Sequence, residues 1–312
     1  DVPLVVFLSG GIDSSTIVGL MAGLSGGNSI KTFSIGFDDK DFDELQYARI
    51  IARRFNTDHH ELIVRPNALE IVPKLVEHYG EPYADSSCIP TYYVAKITRQ
   101  HVTVALNGDG GDELFAGYDR YVAMYLSRWY NRVPGVLRRA FIEPAVNLLP
   151  HNRHNKNTVT RFQRFLKGTY LPVAARYLHW VSICDTDFQD RLYSEGFKKM
   201  LAGISGPQRI LSPFFDGRQG CKLIDLLLCA DTNTYLPNDL LVKVDIATIA
   251  NSLEARSPFL DHRLIEFVVS LRPDFKMKYL IKKYLIKNVI KDFIPAENIH
   301  RQKMGFGVPV GK

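Results

Sequence analysis

Two short stretches concentrate the residue types that chemistry on phosphates requires. The first is Ser9-Gly10-Gly11-Ile12-Asp13-Ser14-Ser15. Adjacent glycines let backbone N–H groups turn inward and approach an anion closely. Ser9, Ser14 and Ser15 add hydroxyl donors, and Asp13 adds a carboxylate. The stretch lacks the Gly-Lys-Ser/Thr ending of a Walker loop. The second is Asn107-Gly108-Asp109-Gly110-Gly111-Asp112-Glu113. Its acids make chemical sense where a divalent cation accompanies a polyphosphate, because hard cations take carboxylate oxygens. Asp13 and Asp112 are the candidate pair for one Mg²⁺. The plainer readings are a tight turn for the first stretch and a solvated turn with helix-capping acids for the second.

These residues can cooperate only if the chain brings the two stretches to one edge. The apolar run Val5-Val6-Phe7-Leu8 predicts a strand over residues 2–8, and the spacing after the glycines predicts a helix over 13–24. Further strands are expected over 30–37, 57–64 and 101–106, with helices over 44–55, 66–79 and 90–99. Strands separated by helices imply parallel pairing and a doubly wound α/β sheet. Ligands of such sheets lie beyond the carboxyl ends of the strands. Both stretches and the Ile35-Gly36 end fall there. Residues 1–118 are thus expected to form a nucleotide-binding core. Residues 119–312 read as a mainly helical region, broken by prolines, that completes the site.

Two later blocks carry charge in unusual settings. In residues 240–262 (LLVKVDIATIANSLEARSPFLDH), Lys243, Asp245, Glu254, Arg256, Asp261 and His262 punctuate an apolar stretch, where charges should be paired or bound. Glu254 with Arg256 is a candidate buried ion pair, and His262 reads as a structural histidine. Near the end, Arg301-Gln302-Lys303-Met304-Gly305-Phe306-Gly307 joins basic residues to a glycine segment that could close over a polyphosphate.

Composition narrows the classes. The net charge is +6, and residues 128–167 hold nine Lys or Arg against one acid, Glu143. A nucleic-acid surface is disfavoured, since no recognition motif accompanies that charge. No run approaches the roughly 18 apolar residues of a membrane span, and no secretory leader is evident, so a cytoplasmic protein is expected. Cys88, Cys184, Cys221 and Cys229 lack the paired spacing of zinc or redox sites and read as buried thiols.

Taken together, the blocks resemble the synthetase domain of glutamine-dependent asparagine synthetases, in the wider group of ATP pyrophosphatases with an adenine nucleotide alpha hydrolase-like fold. The similarity runs from Pro3 to Pro309. It implies that a carboxylate, aspartate in the first instance, is adenylated by ATP and then attacked by ammonia. Related amidotransferases, β-lactam synthetase-like enzymes and tRNA-modifying pyrophosphatases are the alternatives. By the resemblance, Leu8, Ile35, Asn107 and Gly108 would line the adenosine pocket. Ser9, Gly10, Gly11, Asp13, Ser14 and Ser15 would hold pyrophosphate. Asp13 and Asp112 would bind Mg²⁺, Lys303 and Lys283 would face the phosphates, and Asp109 would stand near the acyl-adenylate. The family's usual N-terminal glutaminase domain is not found in this sequence, so the expectation is either a piece of a longer protein whose glutaminase domain supplies ammonia or ammonia from another source, and a homodimer is compatible. Asp109 stands where the family usually has Glu, and Asn107 where it has Ser. Asp245-Ile246-Ala247-Thr248-Ile249 lacks the usual Arg-Met-Ser-Met run after that Asp. These departures leave ATP activation intact and bear on the identity of the acyl substrate.

Overall fold

The computed structural model describes residues 2–38, 44–64, 67–148, 158–184, 186–204 and 206–301. Its chain divides into two units, residues 1–117 with 231–312, and residues 118–230.

The first unit is built on a parallel sheet. β1 (Leu4–Phe7), β2 (Lys31–Gly36), β3 (Asp58–Ile63) and β4 (Val104–Leu106) alternate with α1 (Ile12–Leu24), α2 (Leu45–Arg54), α3 (Ala68–Tyr79) and α4 (Cys88–Thr98). A short helix, α5 (Gly111–Phe115), follows β4. The strand order is β3-β2-β1-β4-β5, where β5 is Glu254–Arg256, and every pairing is parallel. This is the doubly wound α/β architecture that the alternation predicts.

Apolar residues cover both sheet faces, as an all-parallel sheet requires. Val6 and Leu8 join Ile17, Val18, Ala48 and Ile51 of α1 and α2 in one cluster. Ile35 and Phe37 join Ile71, Leu75, Ile89 and Val94 of α3 and α4 in another. The edge strand β3 is instead polar, Asp58-His59-His60-Glu61, and Glu61 is held by Arg49 at 2.6 Å. A charged edge discourages pairing with further strands.

The first unit takes in the C-terminal stretch from Asp231 together with the residues up to Gly117. The physical reason lies in β5, which bonds to β4 in the register Val104 with Glu254 and Leu106 with Arg256. Ile286, Ile290, Ile294 and Ile299 then pack into the α1–α2 core. The Glu254–Arg256 pair forms at 2.6 Å but is exposed rather than buried, because both side chains leave a three-residue edge strand toward solvent. Lys243 is the buried charge of that block, paired with Asp85 at 3.2 Å.

The second unit is helical. Asp119–Tyr130, Thr158–Thr169 and Val173–Val181 gather around Tyr121, Met124 and Tyr177, all nearly inaccessible. Arg176 is buried there without forming an ion pair among the described residues. It donates instead to the carbonyls of Gly168, Thr169 and Leu171, the open end of a helix, and to Ser127. Parts of the basic stretch have local structural partners: Arg138 lies over the rings of Tyr130 and Tyr170, and Arg161 faces Asp119.

Candidate active site

The neighbour of β1 on one side is β2 and on the other β4. The chain order therefore reverses between β1 and β4, and a crevice opens where the two following loops part. Those loops are the two glycine-rich stretches.

After β1, the Leu8 carbonyl accepts from Ser34 Oγ and the Leu8 N–H donates to Phe33, which fixes the loop's point of departure. Gly10 has φ +69°, and a Cβ there would collide with the backbone of Tyr47 and Ala48 in α2. Only glycine fits a left-handed turn pressed against another backbone. Gly11 then starts α1 without a side-chain cap. Gly11 N–H and Ser14 Oγ lie 3.2 Å from Ser9 Oγ. Ser15 Oγ is fully buried and has no partner among the described residues. An uncapped helix start ringed by hydroxyls is a site for an anion.

After β4, the Asn107 N–H donates to Arg256 of β5, and its side chain accepts from Ser257 Oγ and the Asp109 N–H. Asp112 in the first turn of α5 and Asp13 in the first turn of α1 converge on one point, the Lys283 ammonium. Nζ lies 2.6 Å from Asp13 Oδ1 and 2.7 Å from Asp112 Oδ1. Burial alone would lower the lysine pKa, but the carboxylates of Asp112 and Asp13 overcome it and hold the group above its ordinary value. Lys283 has φ +53°, an uncommon backbone state for a side chain this long, and its N–H is anchored on the Phe115 carbonyl. Gly117 permits the packing: a Cβ there would overlap Asp112 and Lys283 Cε.

The structure thus brings together Ser9, Gly10, Gly11, Asp13, Ser14, Ser15, Asn107, Gly108, Asp109, Asp112 and Lys283 at one sheet edge. Leu8 and Ile35 are both buried, in the cores on opposite sheet faces. Lys303 and the glycine segment after it lie outside the described residues. The sequence gives no sign that Asn298, Arg301, Glu44 and Tyr47 back the first loop, although Arg301 belongs to the basic segment expected to close over a polyphosphate. Asn298 Nδ2 donates to the carbonyls of Gly10 at 2.9 Å and Tyr47 at 3.0 Å. Arg301 pairs with Glu44, reaches the Ser9 carbonyl at 3.4 Å and stacks over Tyr47. Nothing in the spacing of Arg301 points back to residue 9.

Comparison with known families decides among the proteins that share such a crevice. The family model described as asparagine synthase matches residues 1–312. The chain belongs to the asparagine synthase family. Among curated relatives, "Asparagine synthetase [glutamine-hydrolyzing] 1" of Bacillus subtilis (strain 168) is 32% identical over 99% of this chain and 47% of its own length. A "Putative asparagine synthetase [glutamine-hydrolyzing]" of Mycobacterium tuberculosis (strain ATCC 25618 / H37Rv) is 30% identical over 99% of this chain and 45% of its own. "Amidase chyE" of Penicillium rubens is 27% identical over 99% of this chain and 50% of its own. The chain spans about half the length of these relatives. Among the described residues, no helix is long and apolar enough to cross a membrane.

Proposed function

We propose that the protein is an ATP-dependent, amide-forming synthetase that adenylates a carboxylate, aspartate in the first instance, and passes the acyl group to ammonia. The observation that carries this reading is the meeting of Asp13 and Asp112 on Lys283, beside an uncapped helix start, at the crevice between β1 and β4. Such a place suits a triphosphate: amides and hydroxyls for its oxygens, a buried cation for its charge, and two carboxylates for an accompanying metal.

The residues fit Mg²⁺. Two carboxylates from separate loops lie side by side, both on the Lys283 ammonium, and this ion is commonly held by one or two carboxylates together with phosphate oxygens. Asp13 and Asp112 would hold it, and when bound it neutralises charge on the nucleotide. Ser9 to Ser15 would cradle the β- and γ-phosphates. An oxygen of the substrate carboxylate attacks the α-phosphorus, the bond to the bridging oxygen breaks, and pyrophosphate leaves. Lys283 and Lys303 stabilise the charge on that leaving group. Ammonia then attacks the acyl carbonyl and AMP departs. Asp109, half-buried at the mouth of the second loop, accepts the proton from the incoming amine. A glutaminase domain would supply the ammonia from glutamine, in keeping with the names and greater length of the bacterial relatives.

The test measures pyrophosphate release with Mg-ATP and ammonia across a panel of amino acids, with products identified by mass. AMP and pyrophosphate should appear in equal amounts, dependent on one amino acid that gains an amide, and Asp13→Ala should abolish the release. Formation of ADP and phosphate, or unchanged release in the variant, would overturn the reading.

A further inference from the structure

We propose that Asn298 and Arg301 are positioning residues that set the direction of the anion-binding amides in the first glycine loop. The inference rests on the reading of that loop as a pyrophosphate cradle.

The argument begins with two carbonyls. A trans peptide is planar, so a residue's C=O points opposite to the N–H of the residue after it. The Ser9 carbonyl faces Arg301 Nη1, and the Gly10 carbonyl faces Asn298 Nδ2. Both are thereby drawn toward the segment that ends the helix Ala296–His300. The amides that follow them, Gly10 N–H and Gly11 N–H, must then point the other way. For Gly11 this direction is visible: its N–H meets Ser9 Oγ, on the hydroxyl side of the loop. Two consecutive amides aimed alike form the concavity in which an anion is bound.

Asn298 is suited to this task by its two hydrogens. One serves the Gly10 carbonyl and the other the Tyr47 carbonyl, the same two backbones that the missing side chain of Gly10 allows to touch. Asn298 is wholly buried, so no water replaces it. Without its amide, the Gly10 carbonyl would face the Tyr47 carbonyl with no donor between them. Arg301 is nearly as enclosed, with a 7% exposed side chain, and its guanidinium is paired with Glu44 at the start of α2. In the sequence it lies two residues before Lys303.

The test uses inorganic pyrophosphate with glycine-selective ¹⁵N labelling of the whole protein. In the unaltered protein the amide signals of Gly10 and Gly11 should move on titration. Asn298→Asp keeps the shape and removes both donors; it should weaken pyrophosphate binding at least about tenfold and abolish the response of the two amides. Arg301→Lys keeps the charge beside Glu44 but cannot also span to Ser9; it should weaken binding by about threefold to tenfold. Folded variants that bind within twofold of the parent, with the same Gly10 and Gly11 responses, would overturn the proposal. Should Asn298→Asp not fold, Arg301→Lys decides by the same criterion. A parent protein that binds no pyrophosphate would overturn this inference and the proposed function together, whereas normal binding by the variants removes the inference alone.

Discussion

At the scale of single residues, Lys283 governs the site. Its ammonium is the point on which two carboxylates from different loops agree, and its burial makes that agreement strong. Replacing it with Met leaves two acids facing each other in a poorly hydrated space. Removal of one partner from a buried charge cluster costs about 3–5 kcal/mol. We expect Lys283→Met to lose stability of that order in urea unfolding, and to lose nucleotide binding as well. The pH dependence follows from the sign of the shift. The folded pKa is raised, so the stabilisation is fully present below the ordinary lysine value of about 10.4 and fades only as pH climbs past the folded value. The parent should therefore remain more stable than the variant throughout about pH 6 to 9. A difference that vanished within that range would show that the ammonium does not hold the acids.

At the scale of elements, the helix Leu241–Ile249 is tied to the start of α4 by a second charged contact. Lys243 Nζ reaches Asp85, whose carboxylate also accepts from the Ser87 hydroxyl and N–H. Nearby, Tyr83 donates to Asp239 and Tyr79 to the Lys243 carbonyl. Burial would raise the Asp85 pKa, but Lys243 and the Ser87 bonds overcome it and hold the carboxyl below its ordinary value. A depressed folded pKa gives stability that is present above the ordinary aspartate value of about 3.9 and is lost as pH falls through the folded one. Asp85→Asn should be less stable than the parent at pH 7, and the gap should close below about pH 4. A gap independent of pH in acid would contradict this account. The same block marks where sequence reading reaches its limit. The strands β1 to β4 were legible because apolar runs and glycine turns are local signals. β5 was not, since three residues with both charges exposed carry no period of their own. Its place is set by a bond ladder to β4 far upstream in the chain.

At the scale of the whole molecule, the thiols report the two units separately. Cys88 lies in the α3–α4 core, where burial pushes its thiol up to about 11. Cys184 and Cys221 belong to the helical unit and are exposed, contrary to the sequence-based expectation that all four are buried. At pH 8 the two exposed thiols should react promptly with a disulfide reagent, and Cys88 at least about tenfold more slowly until the protein unfolds. Equal rates would contradict the assigned burial. The candidate site was legible in part for a related reason. Its loop motifs are contiguous in sequence and announce themselves by residue type. Its clamp, Asn298 and Arg301, is polar side chains meeting backbone carbonyls, and such contacts leave no pattern in a single chain.

The return of residues 231–301 to the first unit has a consequence for how the protein comes into being. Asn107 and Ser257 are 150 positions apart, and Asp13 and Lys283 are 270 apart. On the ribosome, the glycine loop emerges long before the lysine that joins its acid to Asp112. Until that lysine and the asparagine beyond it have been translated, the nascent chain carries the motif without its geometry. The spatial arrangement around the two glycine-rich loops is therefore completed only after Lys283 and Asn298 have been made.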